Sequence, residues 1–158
     1  MVTANPPTNL ERSYVVDTTE LLSFFLNRNG LAGKIIRSFV LDLFTPYKAI
    51  DEIWKNRGEW FQRRPNLSLD DFTDTLNWYI KVVHVDRDSN EFTLAYKQMK
   101  SIDPNDAEFL ALALKLKVPI WSEGKHYKCQ QLVSVFTSKD INRLSYQSPE
   151  LWAAINRQ

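Results

Sequence analysis

Five acidic residues stand where predicted strands end or in predicted helices that follow strands, and a fold could bring them together. They are Asp17, Glu52, Asp103, Asp106 and Glu123. Magnesium and manganese ions prefer oxygen ligands and are often held by only a few carboxylates. A bound ion polarises a phosphoryl oxygen and lowers the pKa of a coordinated water, so no cysteine or histidine nucleophile is needed. The pattern therefore indicates metal-assisted displacement at phosphorus.

The same acids also fit purely structural roles. Asp17 begins the sequence Asp-Thr-Thr-Glu, a capping-box-like pattern in which it would cap a helix. Asp103 and Asp106 lie at the start of a predicted helix, where a cap and the helix dipole both favour acids. Glu52 follows Lys48 by four residues, the spacing of an exposed helical ion pair. The residue pattern alone leaves both interpretations open.

Short apolar segments alternate with helical patterns along the chain. Strands are predicted at residues 13–16, 40–45, 82–85, 118–121 and 132–136. Helices are predicted at residues 18–28, 34–39, 47–56, 69–80, 91–100, 103–117, 138–144 and 149–156. This alternation predicts an α/β fold of three layers, α/β/α, around a central, mainly parallel sheet of about five strands. Ligands bind beyond the carboxyl ends of such strands, which is the edge where Asp17 and Glu123 are expected.

The length of 158 residues indicates one domain, because two domains would each lack sufficient core. We expect a flexible leader at residues 1–12, the domain at 13–144, and a helical extension at 145–158 that packs on the domain or on a second subunit. Neither a signal peptide nor a membrane helix is expected, because no apolar stretch is long enough. Cys129 is the only cysteine, which excludes an internal disulfide and favours a reducing cytoplasm.

The net charge of +1 excludes the strongly basic composition of a dedicated nucleic-acid binder. One local segment nevertheless interleaves cations with aromatic residues, namely Trp54, Lys55, Arg57, Trp60, Arg63 and Arg64. Cations contact phosphates, and aromatic faces stack on unpaired bases. The alternative, which the balanced charge favours slightly, is a solvated helix whose tryptophans are anchored in the core. Weaker candidates for phosphate contact are Lys34, Arg37 and Lys125.

The order of these segments over residues 13–144 resembles the PIN-domain family of metal-dependent ribonucleases. The most specific pieces are Tyr-Val-Val-Asp-Thr-Thr at residues 14–19 and Asp-Pro-Asn-Asp-Ala-Glu-Phe-Leu-Ala-Leu-Ala at residues 103–113. Weaker pieces are Phe-Thr-Pro at residues 44–46, followed by Glu52, and Pro-Ile-Trp-Ser at residues 119–122. All four occur in the family's order, which is far more specific than any single acid.

The resemblance implies roles for individual residues. Asp17 matches the first metal-site aspartate, Glu52 the acid of the second segment, and Asp106 the acid at the start of the third motif's helix. Asp103 is a helper in metal binding. Thr18 is similar to the small hydroxyl or amide residue that often follows the first aspartate, on the RNA side of the site. Lys55, Arg57, Arg63, Arg64 and Lys125 are the expected RNA-binding cations.

The fourth segment departs from the family's pattern. After Trp-Ser, the family usually has Asn-Asp-Lys-Asp-Phe, whereas this chain has Glu123, Gly124, Lys125, His126 and Tyr127. Gly124 and His126 thus replace two aspartates. Glu123 comes one residue early but has a longer side chain, so it is the candidate replacement among both the catalytic and the metal-binding residues.

The resemblance implies an Mg²⁺- or Mn²⁺-dependent endoribonuclease, and small members of this family are often toxins held inactive by an antitoxin protein. The expected partners are RNA, such an antitoxin and a second copy of the chain, with no membrane. One alternative is a catalytically weakened module of the same fold that binds RNA or a protein. Another is an unrelated α/β protein whose acids are helix caps.

Overall fold

A computed structural model describes residues 5–56, 62 and 68–157, and it has an α/β architecture. Five strands form the sheet: β1 (Ser13–Val16), β2 (Asp42–Pro46), β3 (Lys81–Val83), β4 (Ile120–Trp121) and β5 (Val135–Phe136). All neighbouring strands are parallel, in the order β3-β2-β1-β4-β5. The predicted fold class is confirmed.

Eight α-helices flank this sheet within the described residues. They are α1 (Thr18–Leu26), α2 (Leu31–Arg37), α3 (Tyr47–Lys55), α4 (Leu69–Tyr79), α5 (Asn90–Met99), α6 (Ala107–Leu116), α7 (Ser138–Leu144) and α8 (Pro149–Asn156). Short 3-10 turns lie at Pro104–Asp106, His126–Cys129 and Ser145–Gln147. No helix in the described part of the chain is both long enough and apolar enough to cross a membrane.

The central strand β1 is buried on both faces, as expected for a parallel sheet covered by helices. Tyr14, Val15 and Val16 are all 0% exposed. Helix α6 packs against β1, β2 and β4, and α5 packs against α6. The register pairs Val16 with Trp121, so the residues that follow β1 and β4 emerge side by side at the carboxyl edge.

Two strands begin two residues later than predicted, because the backbone before each one turns. Lys117 has a left-handed φ of 58°, and the N–H of Val118 bonds to the carbonyl of Ala113, which closes α6 in a Schellman-like ending. Val118 therefore ends the helix and does not begin β4. Phe39, with φ of 57°, likewise turns the chain before β2.

The region predicted as a single helix at residues 103–117 is a 3-10 turn followed by α6. Asp103 is the cap of the turn, since its side chain accepts a hydrogen bond from the N–H of Asn105. Helix α2 begins three residues earlier than predicted. It contains Gly33, where an added Cβ would lie 2.5 Å from the carbonyl oxygen of Arg28, so only glycine fits this close approach.

The two ends of the described chain lie against the domain. The carbonyl oxygen of Pro7 accepts a hydrogen bond from Arg143, and the N–H of Leu10 donates one to Gln147. Helix α8 packs against α2. Leu151 and Ile155 of α8 are buried in this contact region, whereas Trp152 is 43% exposed.

Candidate metal centre

A cavity of about 510 Å³ opens at the carboxyl edge of the sheet. The side chains that line it include those of Asp17, Glu52, Asp103 and Asp106. These residues come from the end of β1, from α3, and from the 3-10 turn before α6. Four of the five acids predicted for the site therefore share one cavity.

Asp17 is held by hydrogen bonds to both of its carboxylate oxygens. The N–H of Thr18 donates to Oδ1 at 2.8 Å, and the hydroxyl of Ser122 donates to Oδ2 at 2.7 Å. Burial raises the pKa of the Asp17 carboxyl, and the hydrogen bonds from Ser122 and Thr18 lower it in part. The side chain is therefore fixed in place, in surroundings that favour a nearby positive charge.

Glu52 faces the cavity and accepts a 2.7 Å hydrogen bond at Oε2 from the hydroxyl of Thr18. Thr18 is 6% exposed, so its hydroxyl orients Glu52. Lys48, the predicted partner of Glu52, forms no ion pair with it within 4 Å in the described structure. Burial raises the pKa of Glu52 and the Thr18 hydrogen bond lowers it, while the charges of Asp17 and Asp106 raise it further.

Asp103, Asp106 and His126 form a compact group whose candidate ligand atoms all lie within 4.8 Å of one another. His126 Nδ1 lies 3.0 Å from Asp106 Oδ2 and 3.8 Å from Asp103 Oδ2. Burial raises the pKa of Asp106, and the hydrogen bond with His126 lowers it. Octahedral ligands at about 2.1 Å from an ion lie roughly 3 Å apart when adjacent, so these separations suit one small cation.

Glu123 does not line this cavity, which corrects the expectation that it completes the site. Its Oε1 accepts a 2.7 Å hydrogen bond from the N–H of Ser138, at the start of α7. Its own N–H donates to Glu20 Oε1 at 3.2 Å. Gly124 faces the cavity instead, where an added Cβ would lie 3.8 Å from Asp17 Oδ2. The side chain of Glu123 is therefore directed to the start of α7 and not into the cavity.

The structural alternative for residues 17–20 is met in part: Asp17 caps α1, but no capping box with Glu20 forms. Asp17 occupies the cap position of α1, but the N–H of Asp17 bonds to the carbonyl of Trp121 in the sheet. Glu20, which is 2% exposed, accepts from the N–H of Glu123 and the hydroxyl of Ser138. Burial, followed by the charge of Glu123, raises the pKa of Glu20 to about 7.

Tyr127 is a cavity residue that the sequence did not single out. Its side chain is 1% exposed, and its hydroxyl oxygen has no hydrogen-bond partner among the described residues. Burial raises the pKa of this hydroxyl well above its usual range. The charges of Asp17 and Asp106, the close approach of the Asp106 carboxylate and the charge of Glu52 add to that effect. The only sequence signal was a tyrosine where the family usually has phenylalanine.

The cations are divided between the cavity and the surface. Lys48 and Lys55 line the cavity, whereas Lys125 is exposed beside it at the start of the turn His126–Cys129. Arg57, Arg63 and Arg64, which we predict to bind RNA, lie outside the described residues. From the sequence, Lys48 was interpreted only as an ion-pair partner of Glu52. The spacing of residues 48, 52 and 55 nevertheless places the three side chains on one face of α3.

Arg37 has a structural role that weakens its candidacy for phosphate contact. Its guanidinium donates to the backbone carbonyls of Gly33 and Arg28, and so closes the turn between α1 and α2. Arg37 does not line the acidic cavity.

The donor set of the cavity fits a divalent cation. Asp17, Glu52 and Asp106 are each driven by burial toward the neutral form, and their charges oppose one another. A cation between them would compensate for both effects, and their oxygens are the ligand type that Mg²⁺ and Mn²⁺ prefer. The arrangement can therefore hold metal at the edge where parallel sheets bind ligands.

Comparison with known proteins agrees with this geometry. No curated protein matches the chain significantly. The family described as PIN domain matches residues 15–143, which include the end of β1, the residues of the acidic cavity and most of α7. With this match over most of its length, and with a parallel five-stranded sheet that gathers four acids at its carboxyl edge, the chain belongs to the PIN-domain family.

Proposed function

We propose that this protein is a divalent-metal-dependent endoribonuclease that hydrolyses phosphodiester bonds of single-stranded RNA. One observation carries the proposal: Asp17, Glu52, Asp103 and Asp106 line one cavity at the ligand-binding edge of a PIN fold. These four acids are half-buried, and carboxylates that are brought together out of water are costly unless a cation accompanies them. Lys48 and Lys55 also line the cavity, so it offers positive charge to an approaching polyanion.

Asp17, Asp106 and Asp103 would hold Mg²⁺ or Mn²⁺. When bound, such an ion polarises a phosphoryl oxygen and makes its coordinated water more acidic. Glu52 lies beside these residues with a raised pKa, so it is the group suited to accept a proton from an attacking water. Thr18 keeps Glu52 in that orientation through the 2.7 Å hydrogen bond.

The substrate side of the proposal rests on the cations around the opening. Lys48 and Lys55 project from α3 into the cavity, where ammonium groups can neutralise backbone phosphates. Lys125 lies at the surface next to His126 and extends the positive side. We propose that the RNA strand follows this side and presents one phosphate to the acids.

The cellular role we propose is that of a toxin that an antitoxin protein holds inactive, in the reducing cytoplasm. Family resemblance and the single cysteine support this role. A protein that covers the cavity would inhibit the enzyme by keeping RNA from the acids.

The experiment that tests the function is cleavage of a single-stranded RNA in the presence of Mn²⁺ or Mg²⁺. Asp17→Asn should reduce the cleavage rate by about a hundredfold or more, since it removes a charged ligand from the centre of the cavity. An asparagine can still accept from the N–H of Thr18 and meet Ser122, so the fold should persist. Asp42→Asn is the matched control, because Asp42 is an exposed acid at the opposite end of the sheet.

If Asp17→Asn cleaves as fast as the wild type, the proposed site is wrong. If neither the wild type nor Asp42→Asn cleaves the RNA while both remain folded, the proposed catalysis is contradicted. Cleavage that Asp42→Asn retains and Asp17→Asn loses is the expected result.

A second candidate function is a module that binds RNA without cutting it. The specific observation in its favour is Gly124, which leaves the fourth acidic position empty while Glu123 turns away to α7. Gly124→Asp would place a carboxylate near Asp17, with only Ser122 Oγ at 3.1 Å having to yield to the new Cβ. Cleavage by this variant alone would favour the binding module, whereas cleavage by the wild type would favour the nuclease. Gly124→Ala is its control, because it adds the Cβ without the charge.

A further inference from the structure

His126 brings an imidazole nitrogen to the acidic cavity, beside two of its carboxylates. Its Nδ1 lies 3.0 Å from Asp106 Oδ2 and 3.8 Å from Asp103 Oδ2, and candidate ligand atoms of the three residues lie within 4.8 Å of one another. The side chain of His126 is 53% exposed, so neither packing nor burial explains its position.

The two carboxylates that His126 contacts belong to the acidic cavity. His126 meets two carboxylates at once, and one of them, Asp106, faces the same cavity as the half-buried Asp17. The neighbouring Tyr127 is a second observation that points to a ligand. The residue lines the cavity at 1% exposure, and its hydroxyl has no hydrogen-bond partner of adequate geometry in the described structure, although the Asp106 carboxylate is close enough to raise its pKa. Buried hydroxyls are normally satisfied, so an unpaired one points to a ligand or its water.

We infer that His126 is a metal ligand and that it makes this cavity selective for Mn²⁺ and similar transition-metal ions over Mg²⁺. The inference rests on the proposed function, whose metal centre it specifies. Mg²⁺ is a hard ion that is held by oxygen, whereas imidazole suits transition metals. Gly124 contributes to the same selectivity, because a glycine there supplies no carboxylate next to Asp17.

The charge of the site also favours transition-metal ions over Mg²⁺. A neutral imidazole in place of a carboxylate removes one negative charge, and the attraction that Mg²⁺ depends on falls accordingly. A transition-metal ion regains part of the lost binding free energy through its bond to nitrogen. The expected consequence is a wider gap between the affinities for Mn²⁺ and Mg²⁺ than an all-carboxylate site would have.

The test uses MnCl₂ and MgCl₂ with the full chain and three proteins: wild type, His126→Asp and His84→Asp. His84 is the matched control, because it is the only other histidine, is exposed, and does not line the cavity. Calorimetric titration gives the two affinities, and electron spin echo spectroscopy of bound Mn²⁺ detects a directly coordinated imidazole nitrogen. RNA cleavage is not needed for either readout.

The wild type should bind Mn²⁺ about tenfold or more tightly than Mg²⁺ and show the nitrogen signal. His126→Asp should lose that signal and bring the two affinities together, while His84→Asp should match the wild type. Mn²⁺ binding without a nitrogen signal in the wild type, or with an unchanged affinity ratio in His126→Asp, would overturn the inference and leave the nuclease proposal intact. Failure of the folded wild type to bind either ion would overturn both. Nitrogen-coordinated Mn²⁺ without RNA cleavage would support the inference and contradict the nuclease.

Discussion

Individual residues around the cavity are held more firmly than exposed acids would be. Asp17 receives one hydrogen bond from Thr18 and one from Ser122, and Thr18 also holds Glu52. Each of these bonds restricts a carboxylate to one orientation before any ligand arrives. Such preorganisation favours tight binding, because little side-chain freedom remains to be lost.

Tyr127 gives a prediction at the scale of a single residue. Its hydroxyl is buried without a hydrogen-bond partner in the described structure, so Tyr127→Phe should leave the metal-free protein equally stable or up to about 2 kcal/mol more stable. Urea denaturation without divalent ions measures this. A loss of more than about 1 kcal/mol would mean that the hydroxyl makes a stabilising hydrogen bond. Tyr14→Phe is the matched control. The Tyr14 hydroxyl accepts a hydrogen bond from the N–H of Glu11, so its removal should lower the stability.

The helices and turns around the sheet decide which acids reach the cavity. Helix α3 presents Glu52 together with Lys48 and Lys55, and the 3-10 turn before α6 presents Asp103 and Asp106. Helix α7 has the opposite effect, because its first turn attracts Glu123. An anion at a helix N-terminus is stabilised by the free N–H groups and the helix dipole.

Glu123→Ala tests this assignment of Glu123 to the helix. The variant should lose about 1 kcal/mol of stability, because the N–H of Ser138 loses its acceptor, while Mn²⁺ affinity stays the same. Chemical denaturation and calorimetric titration measure the two quantities. Glu150→Ala, an exposed acid in the first turn of α8, is the control for removing a charge. A large fall in Mn²⁺ affinity in Glu123→Ala alone would show that Glu123 is a ligand after all.

Across the whole molecule, a second buried acidic network joins distant parts of the chain. Glu20 of α1 accepts from the N–H of Glu123 after β4 and from the hydroxyl of Ser138 in α7. Ser138 in turn accepts from the indole N–H of Trp121. These hydrogen bonds hold the segment that follows β4 in place. They therefore also influence the direction in which Gly124 and His126 face.

The raised pKa of Glu20 predicts how stability depends on pH. Because the pKa of Glu20 is about 7 in the folded protein and 4.5 ordinarily, the folded state holds the proton more tightly. Its contribution to stability is therefore fully present below about pH 4.5 and is lost as the pH rises toward 7, by up to roughly 3 kcal/mol.

Glu20→Gln should remove this dependence, because the amide cannot ionise. The difference in unfolding free energy between wild type and Glu20→Gln, measured by urea denaturation from pH 4.5 to 8, should move in favour of the variant as the pH rises. Glu150→Gln should follow the wild type throughout. A difference that stays constant with pH would mean that Glu20 titrates normally in the folded protein.

Local sequence signals were sufficient for the order and type of the elements. The run Ser13–Val16 before Asp17 predicted β1 with its observed bounds, and Ser138–Leu144 and Pro149–Asn156 were predicted as α7 and α8. These segments are defined by apolar period, caps and proline, which act between near neighbours. The starts of β2 and β4 were missed because Phe39 and Lys117 adopt left-handed backbone that no glycine announced.

The types and spacing of residues made Asp17, Glu52, Asp103 and Asp106 candidates, since a parallel sheet collects such acids at one edge. The resemblance to the PIN-domain family then favoured a metal site over helix caps. Only the tertiary structure decided which residue faces the cavity at the fourth acidic position. Glu123 and His126 are three residues apart, yet one turns to the N-terminus of α7 and the other to Asp106. Their directions depend on a helix and a buried glutamate that are distant along the chain, and contacts of this kind arise only when the fold brings them together.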